Sequence, residues 1–310
     1  MSSSLTLASE PAAERPRRLL IVLGAALIAA TYAFLVVVQP AEIAGGMGST
    51  ASLVSLFGFL GGGALLVGGI LPMLSTSSLV IMPLGIALNI AIGQIAGSLG
   101  MQIYLDAIGT VLVAVLAGPA AGAATGAISN AIWGLFNPFA LPFAAGAALI
   151  GLLAGLAARY GAFRRVYLVP VAGLVVGAVG GLVAAPVAVF MFGAAGTFGT
   201  NAIIAVFRSM GDKLLVAATK QGLLSDSLDK IVVFVIVALI VYALPQRAIR
   251  QFPFARTYRV VGNRAGTPAV AGATSGTATA TSATATSGTA TAGTGAGSTT
   301  PARGNDSSVG

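Results

Sequence analysis

The chain has 310 residues, 56% of them hydrophobic and only 8% charged, with a mean hydropathy of +0.96. A water-soluble domain carries about a quarter charged residues, so lipid is the solvent this composition fits, and an all-α integral membrane protein is the expected class. Cysteine and histidine are both missing, which excludes disulfides, thiolate chemistry and the common transition-metal ligands; the formal charge of +8 sits largely in arginines flanking apolar runs, which reports membrane topology rather than a nucleic-acid partner.

A bilayer core of about 30 Å takes roughly 20 apolar residues per crossing helix, and fewer where a helix is buried among neighbours. Residues 1–18 form a basic head with Arg15, Arg17 and Arg18, expected in the cytoplasm. The run Leu19 to Val38 is too long for a cleaved signal peptide and is followed by no small-residue cleavage pattern. It reads as the first span and Leu53 to Leu74 as the second, a helix pair within residues 19–77, with Glu42 on the outer loop between them.

The third span, Leu79 to Leu99, opens a second body over residues 78–247. Ala87 and Ala91 make one small-xxx-small pair on it and Gly93 and Gly97 another, a spacing that lets helix backbones approach. Asn89 lies about 200° of helical rotation from Ala87, so an alanine ridge facing a partner turns the amide to the protein interior.

Gln102, Tyr104 and Asp106 stand where the chain re-enters the membrane from outside. A membrane carboxylate is costly and is a functional candidate on that ground, while a carboxylate at a helix start, reaching Thr110 at i+4, is the structural alternative. The fourth span, Leu105 to Ala117, is short; Gly118-Pro119 turns the chain into the fifth, Ala120 to Phe136. Gly118, Gly122, Gly126 and Asn130 recur every fourth residue and form a packing groove ending in one amide. Asn130, Trp133 and Asn137 share a face at the outer end, suited either to a stacked heterocyclic ligand or to interfacial anchoring by the indole.

The sixth and seventh spans are Leu141 to Ala158 and Tyr167 to Phe192. The stretch 193–227 carries Arg208, Asp212, Lys213, Lys220 and Asp226 and is expected outside, with Ile203 to Thr219 as an interfacial helix or lid bearing Arg208 and Asp212 at i,i+4. The eighth span is Leu228 to Leu244. Eight crossings put Arg159, Arg164, Arg165, Arg247, Arg250, Arg256, Arg259 and Arg264 on the cytoplasmic side with the N-terminus, so both termini are expected there, in a multi-pass plasma-membrane protein. Residues 248–264 form a basic cytoplasmic segment, and the Thr/Ala/Gly/Ser tail 265–310 is expected to be disordered.

No catalytic constellation is legible, and the expectation is a protein that is not an enzyme and uses no cofactor or metal. The eight acids form no evident paired-carboxylate site, and Asp106 has no evident partner within the membrane. Gly61 to Gly63 and Gly177 to Gly181 lie inside apolar spans with no P-loop lysine, against a nucleotide loop.

The last six spans resemble the substrate-specific subunit, the S component, of energy-coupling factor (ECF) transporters. The resemblance lies in ALNIAIGQ with Ala87 and Ala91, in YLDAIGTVLVAVLAGP, in the small-residue spacing through Asn130, and in LPFAAGAALIGLLAGLAARYG, in that order. It covers a little over half of the chain. It implies a six-helix bundle that captures a vitamin or related micronutrient at its outer face, with a transmembrane coupling subunit and paired ATPase subunits driving uptake. It also implies that Ala87 and Ala91 pack against the coupling subunit. By location, Asn89, Gln102, Tyr104, Asp106, Asn130, Trp133, Asn137, Asn201 and Arg208 are the substrate-binding candidates. The N-terminal helix pair and the tail depart from the family pattern. Two other classes compete: a self-contained secondary carrier, whose signature would be an inverted repeat and a midplane ionisable pair, and a membrane sensor module, which would need a signalling domain after Leu244.

Overall fold

In the computed structural model, which describes residues 14–38, 50–100, 103–196 and 198–261, every regular element is helical. Glu42, Gln102, Arg264 and the tail 265–310 lie outside the described residues. The N-terminal pair is α1 (Glu14–Val38) and α2 (Thr50–Ile70). A short 3-10 turn then leads to α3 (Thr76–Ser98), whose first turn is capped by Ser75 accepting from the Ser78 N–H at 3.3 Å. The hairpin of α4 (Ile108–Ala117) and α5 (Pro119–Trp133) follows, then α6 (Ala144–Arg159) and α7 (Leu168–Phe192).

Among the described residues, five stretches are long and apolar enough to cross a membrane: Arg15–Val38, Ser52–Met73, Thr76–Ser98, Phe139–Arg159 and Leu168–Phe192. The expected fourth and fifth spans are shorter, because α4 has 10 residues and α5 has 15, or about 15 and 22 Å of helix. They are enclosed instead: Ile108 to Leu116 are all buried. Pro119 at the first position of α5 and Gly118, at φ +100°, make the turn between them, a backbone conformation that glycine adopts without strain.

The segment expected as an outer loop or lid is largely helical. A left-handed Gly193 (φ +60°) ends α7, α8 (Phe198–Ser209) follows, and a turn at 210–213 leads into α9 (Leu214–Ala243). The helix that holds the expected eighth span therefore begins 14 residues ahead of Leu228 and runs for 30 residues, and it is not one of the five apolar stretches. Because the turn interrupts the helix, Arg208 and Asp212 do not share a face. Arg208 Nη1 donates to the Asp212 carbonyl at 3.2 Å, and the Asp212 carboxylate pairs with Lys220 at 2.7 Å.

Small residues set the helix contacts. On α7, Gly173, Gly177 and Gly181 lie against Lys230, Asp226 and Gly222 of α9; a Cβ on Gly177 would stand 2.3 Å from the Asp226 carbonyl oxygen. The Gly118 to Gly126 groove packs on α6, with Gly122 against Gly151 and Gly126 against Ala147. The N-terminal pair joins the main body through Ser52 Oγ, which donates to the Phe190 carbonyl at 3.0 Å, and through Leu35 and Phe59, buried with Val187 and Phe190.

The chain ends in α10 (Gln246–Arg250) and α11 (Pro253–Thr257), which turn back on the bundle. Ile249, Phe252, Ala255 and Val260 join the main core with Phe163 and Phe234, and Phe254 covers Gly118. Arg164 donates to the carbonyls of Tyr258 and Arg259. Arg17 stands beside Gly69, and Ile21, Leu71 and Leu74 cluster with Ala117 and Ala120. The arginine-rich segments thus gather at one end of the bundle, beside the Gly118 turn.

Candidate functional site

At the opposite end, a cavity of about 640 Å³ is lined by residues of all seven helices from α3 to α9, and by residues of the segments 103–107 and 137–143. That volume falls within the range that holds one small organic molecule.

One wall comes from α9. Lys230 is 3% exposed and ion-paired with the fully buried Asp229, and its Nζ stands 3.5 Å from Asp106. Asp229 also accepts the Leu105 N–H at 2.7 Å. Leu105 adopts φ +54°, a conformation costly for a branched side chain, and this turn presents Asp106 to the ammonium. The expectation that Asp106 has no partner within the protein is therefore corrected. Asp106 also stands at the start of α4, one residue ahead of the N-cap Ala107, while the Thr110 hydroxyl accepts from Asn89 Nδ2 at 2.7 Å.

Asn89 is buried between α3, α4 and α5. Its Nδ2 also donates to Ser129 at 2.9 Å, and its Oδ1 accepts the N–H groups of Gly109 and Thr110 at 2.7 and 3.1 Å. Two donors and two acceptor positions are in use, so Asn89 touches the cavity wall with no hydrogen-bonding capacity left for a ligand. Ala87 and Ala91, on the other side of α3, are exposed, as their rotation from Asn89 predicts.

The aromatic wall is built around Trp133, the single tryptophan of the chain. Its Nε1 donates to Gln94 Oε1 at 3.2 Å, and its ring lies over Gly93, where a Cβ would stand 2.8 Å from the ring edge and 2.9 Å from Asp106 Cβ. Phe139, Phe143 and Phe192 stack nearby, with centroids 4.7 Å apart for Phe139–Phe192 and 6.1 Å for Phe143–Phe192. Tyr104 Oη lies 3.3 Å from the Thr200 hydroxyl. Asn137 lines the cavity while its Oδ1 accepts the Phe139 N–H at 3.3 Å, which starts the turn 138–143.

Two polar groups on the wall are unspent. Asn130 is 8% exposed, and its side-chain amide makes no hydrogen bond among the described residues. The Asp226 carboxylate also lines the cavity; among the described residues it makes no hydrogen bond or direct ion pair, and Lys230 is the cation that acts on it.

The cavity therefore unites Asn89, Tyr104, Asp106, Asn130, Trp133 and Asn137. It does not include Asn201 or Arg208, both exposed: Asn201 bonds Gly196 N–H and carbonyl at 3.0 and 3.2 Å, latching its own loop. Gln102 lies outside the described residues. Sequence reasoning missed Gln94, Thr200, Gln221, Asp226 and Lys230, which also line the cavity. A signal for the last two was present: Gly222, Asp226 and Lys230 recur every fourth residue, as do Gly173, Gly177 and Gly181, the two rows that meet in the structure. Among the described residues no group of three or more acidic, histidine or cysteine side chains is arranged to hold a metal ion. Comparison with known families, curated proteins and solved structures finds no match to this chain.

Proposed function

We propose that this chain is the substrate-binding subunit of an ECF-type ATP-driven importer for a vitamin or related micronutrient, spanning the plasma membrane with both termini cytoplasmic. The observation that carries the reading is the cavity of about 640 Å³, in which aromatic walls and unspent polar groups converge at the end opposite the arginines. A site of that size and mixed chemistry suits capture of one water-soluble molecule, and the arginine end suits the cytoplasm. The exposed Ala87 and Ala91 ridge supports the partner half of the proposal, because small side chains on an outward face let another helix approach.

Co-purification tests it. The chain, expressed with a coupling subunit and paired ATPase subunits from the same host, is expected to form a complex that Ala87→Trp with Ala91→Trp abolishes while ligand binding persists. Loss of binding along with the complex, or no complex at all, would count against it.

A secondary carrier is the second reading, favoured by one observation: Lys230 is buried in the cavity wall with Asp229 and Asp106, and ionisable groups within a membrane commonly mark transport paths. Uptake into proteoliposomes holding this chain alone, without ATPase or ATP, would select it.

A further inference from the structure

We infer that the cavity selects a small cationic ligand bearing an aromatic ring, a protonated or quaternised nitrogen heterocycle being the type. The inference rests on reading the cavity as a substrate site and goes further by assigning the ligand's charge.

Among the described residues, Lys230 is the one cationic side chain lining the cavity, and it is already held by Asp229 and Asp106. Asp226 brings a further carboxylate to the wall, with no hydrogen bond or direct ion pair among the described residues and only a share of the field of Lys230. Asp229, which does not line the cavity, already engages Lys230, so the wall offers two acidic side chains, Asp106 and Asp226, and no uncommitted cation. A carboxylate or phosphate ligand would meet no free cation there. A cation would meet the unpaired Asp226, where a charge-assisted contact is stronger than a neutral one, and aromatic faces that attract positive charge. Independently of charge, Asn130 points to a ligand: an amide 8% exposed and unpartnered on a cavity wall has hydrogen bonds to give and to accept.

The test uses the full chain in detergent and two size-matched probe sets. One is 1-methylnicotinamide, nicotinamide and nicotinate; the other is benzyltrimethylammonium, benzyl alcohol and benzoate. Calorimetry, with Trp133 emission as a second readout, is expected to rank the cation about tenfold or more tighter than the neutral probe, with the anion weakest. Asp226→Asn is expected to remove that advantage and leave the neutral probe within about twofold, while Asp226→Glu, which keeps the charge, retains it. An anion binding as tightly as its cation, or no cation of either set binding at millimolar concentration, overturns the inference. The wild-type ranking decides even where a variant fails to fold. Cation selectivity without coupling-subunit co-purification would sink the importer reading alone; anion selectivity with co-purification would sink the ligand-charge inference alone.

Discussion

Asn89 on α3 is bound to Thr110 on α4 twice over, its Nδ2 donating to the hydroxyl at 2.7 Å and its Oδ1 accepting the backbone N–H at 3.1 Å. The second bond, with the one to the Gly109 N–H, satisfies the open first turn of α4, which has no side-chain cap of its own. A side chain from a neighbouring helix thus completes a short helix that could not stand alone. Asn89→Ala leaves those buried groups unpaired, and a loss of about 3 kcal/mol is expected, read as a lower midpoint of thermal unfolding in detergent. An unchanged midpoint with abolished ligand binding would instead make Asn89 a ligand contact.

Trp133 makes the cavity optically addressable, because no other tryptophan contributes to emission. Gly93 is the seat of the indole, and a methyl group there would stand 2.8 Å from the ring. Gly93→Ala is therefore expected to shift the emission maximum, weaken ligand binding about tenfold and lower the unfolding midpoint, because the methyl group also meets Asp106 Cβ at 2.9 Å. Unaltered emission and affinity would show that the ring has room to move without consequence.

Part of the cavity-facing polar set was legible because it lies near span ends: Tyr104, Asp106, Asn130, Trp133 and Asn137 all line the cavity. What failed was the reading of α9. The expected span from Leu228 leaves Lys220 and Asp226 in the outer stretch, whereas the helix already starts at Leu214; and within the span hydropathy penalises Asp229 and Lys230 separately, although they pair and are buried together. Pairing is a tertiary property, and no window along the chain measures it. Asn201 and Arg208 failed for the opposite reason: short-range hydrogen bonds to Gly196 and Asp212 hold them outside the cavity.

The Gly177 contact gives a test of the α7–α9 seam. A Cβ there meets the Asp226 carbonyl oxygen at 2.3 Å, and backbone cannot swing aside as a side chain can. At Gly68 on α2 the same Cβ meets nothing within 4 Å. Gly177→Ala is expected to cost about 2 kcal/mol and Gly68→Ala nothing, since alanine favours a helix by roughly 1 kcal/mol where there is space. Equal unfolding midpoints for the two variants would contradict the close approach.

The Lys230–Asp229 pair predicts a non-additive pair of substitutions. Lys230→Met removes the ammonium and leaves Asp229 fully buried with the Leu105 N–H as its remaining donor. A buried carboxylate deprived of its counter-charge costs about 3 to 5 kcal/mol, so this variant is expected to express poorly or unfold early. Asp229→Asn in the same background takes the stranded charge away yet keeps an oxygen for Leu105, and so the double variant is expected to recover most of the loss. Asp106 gains nothing from that second change, since it keeps its charge in both backgrounds, and its partial exposure lets water take the place of Lys230. Thermal unfolding of wild type, both single variants and the double variant closes the cycle. A double variant no more stable than Lys230→Met would mean that Lys230 is held in the wall chiefly by Asp106, and that the turn at Leu105 depends on something other than Asp229.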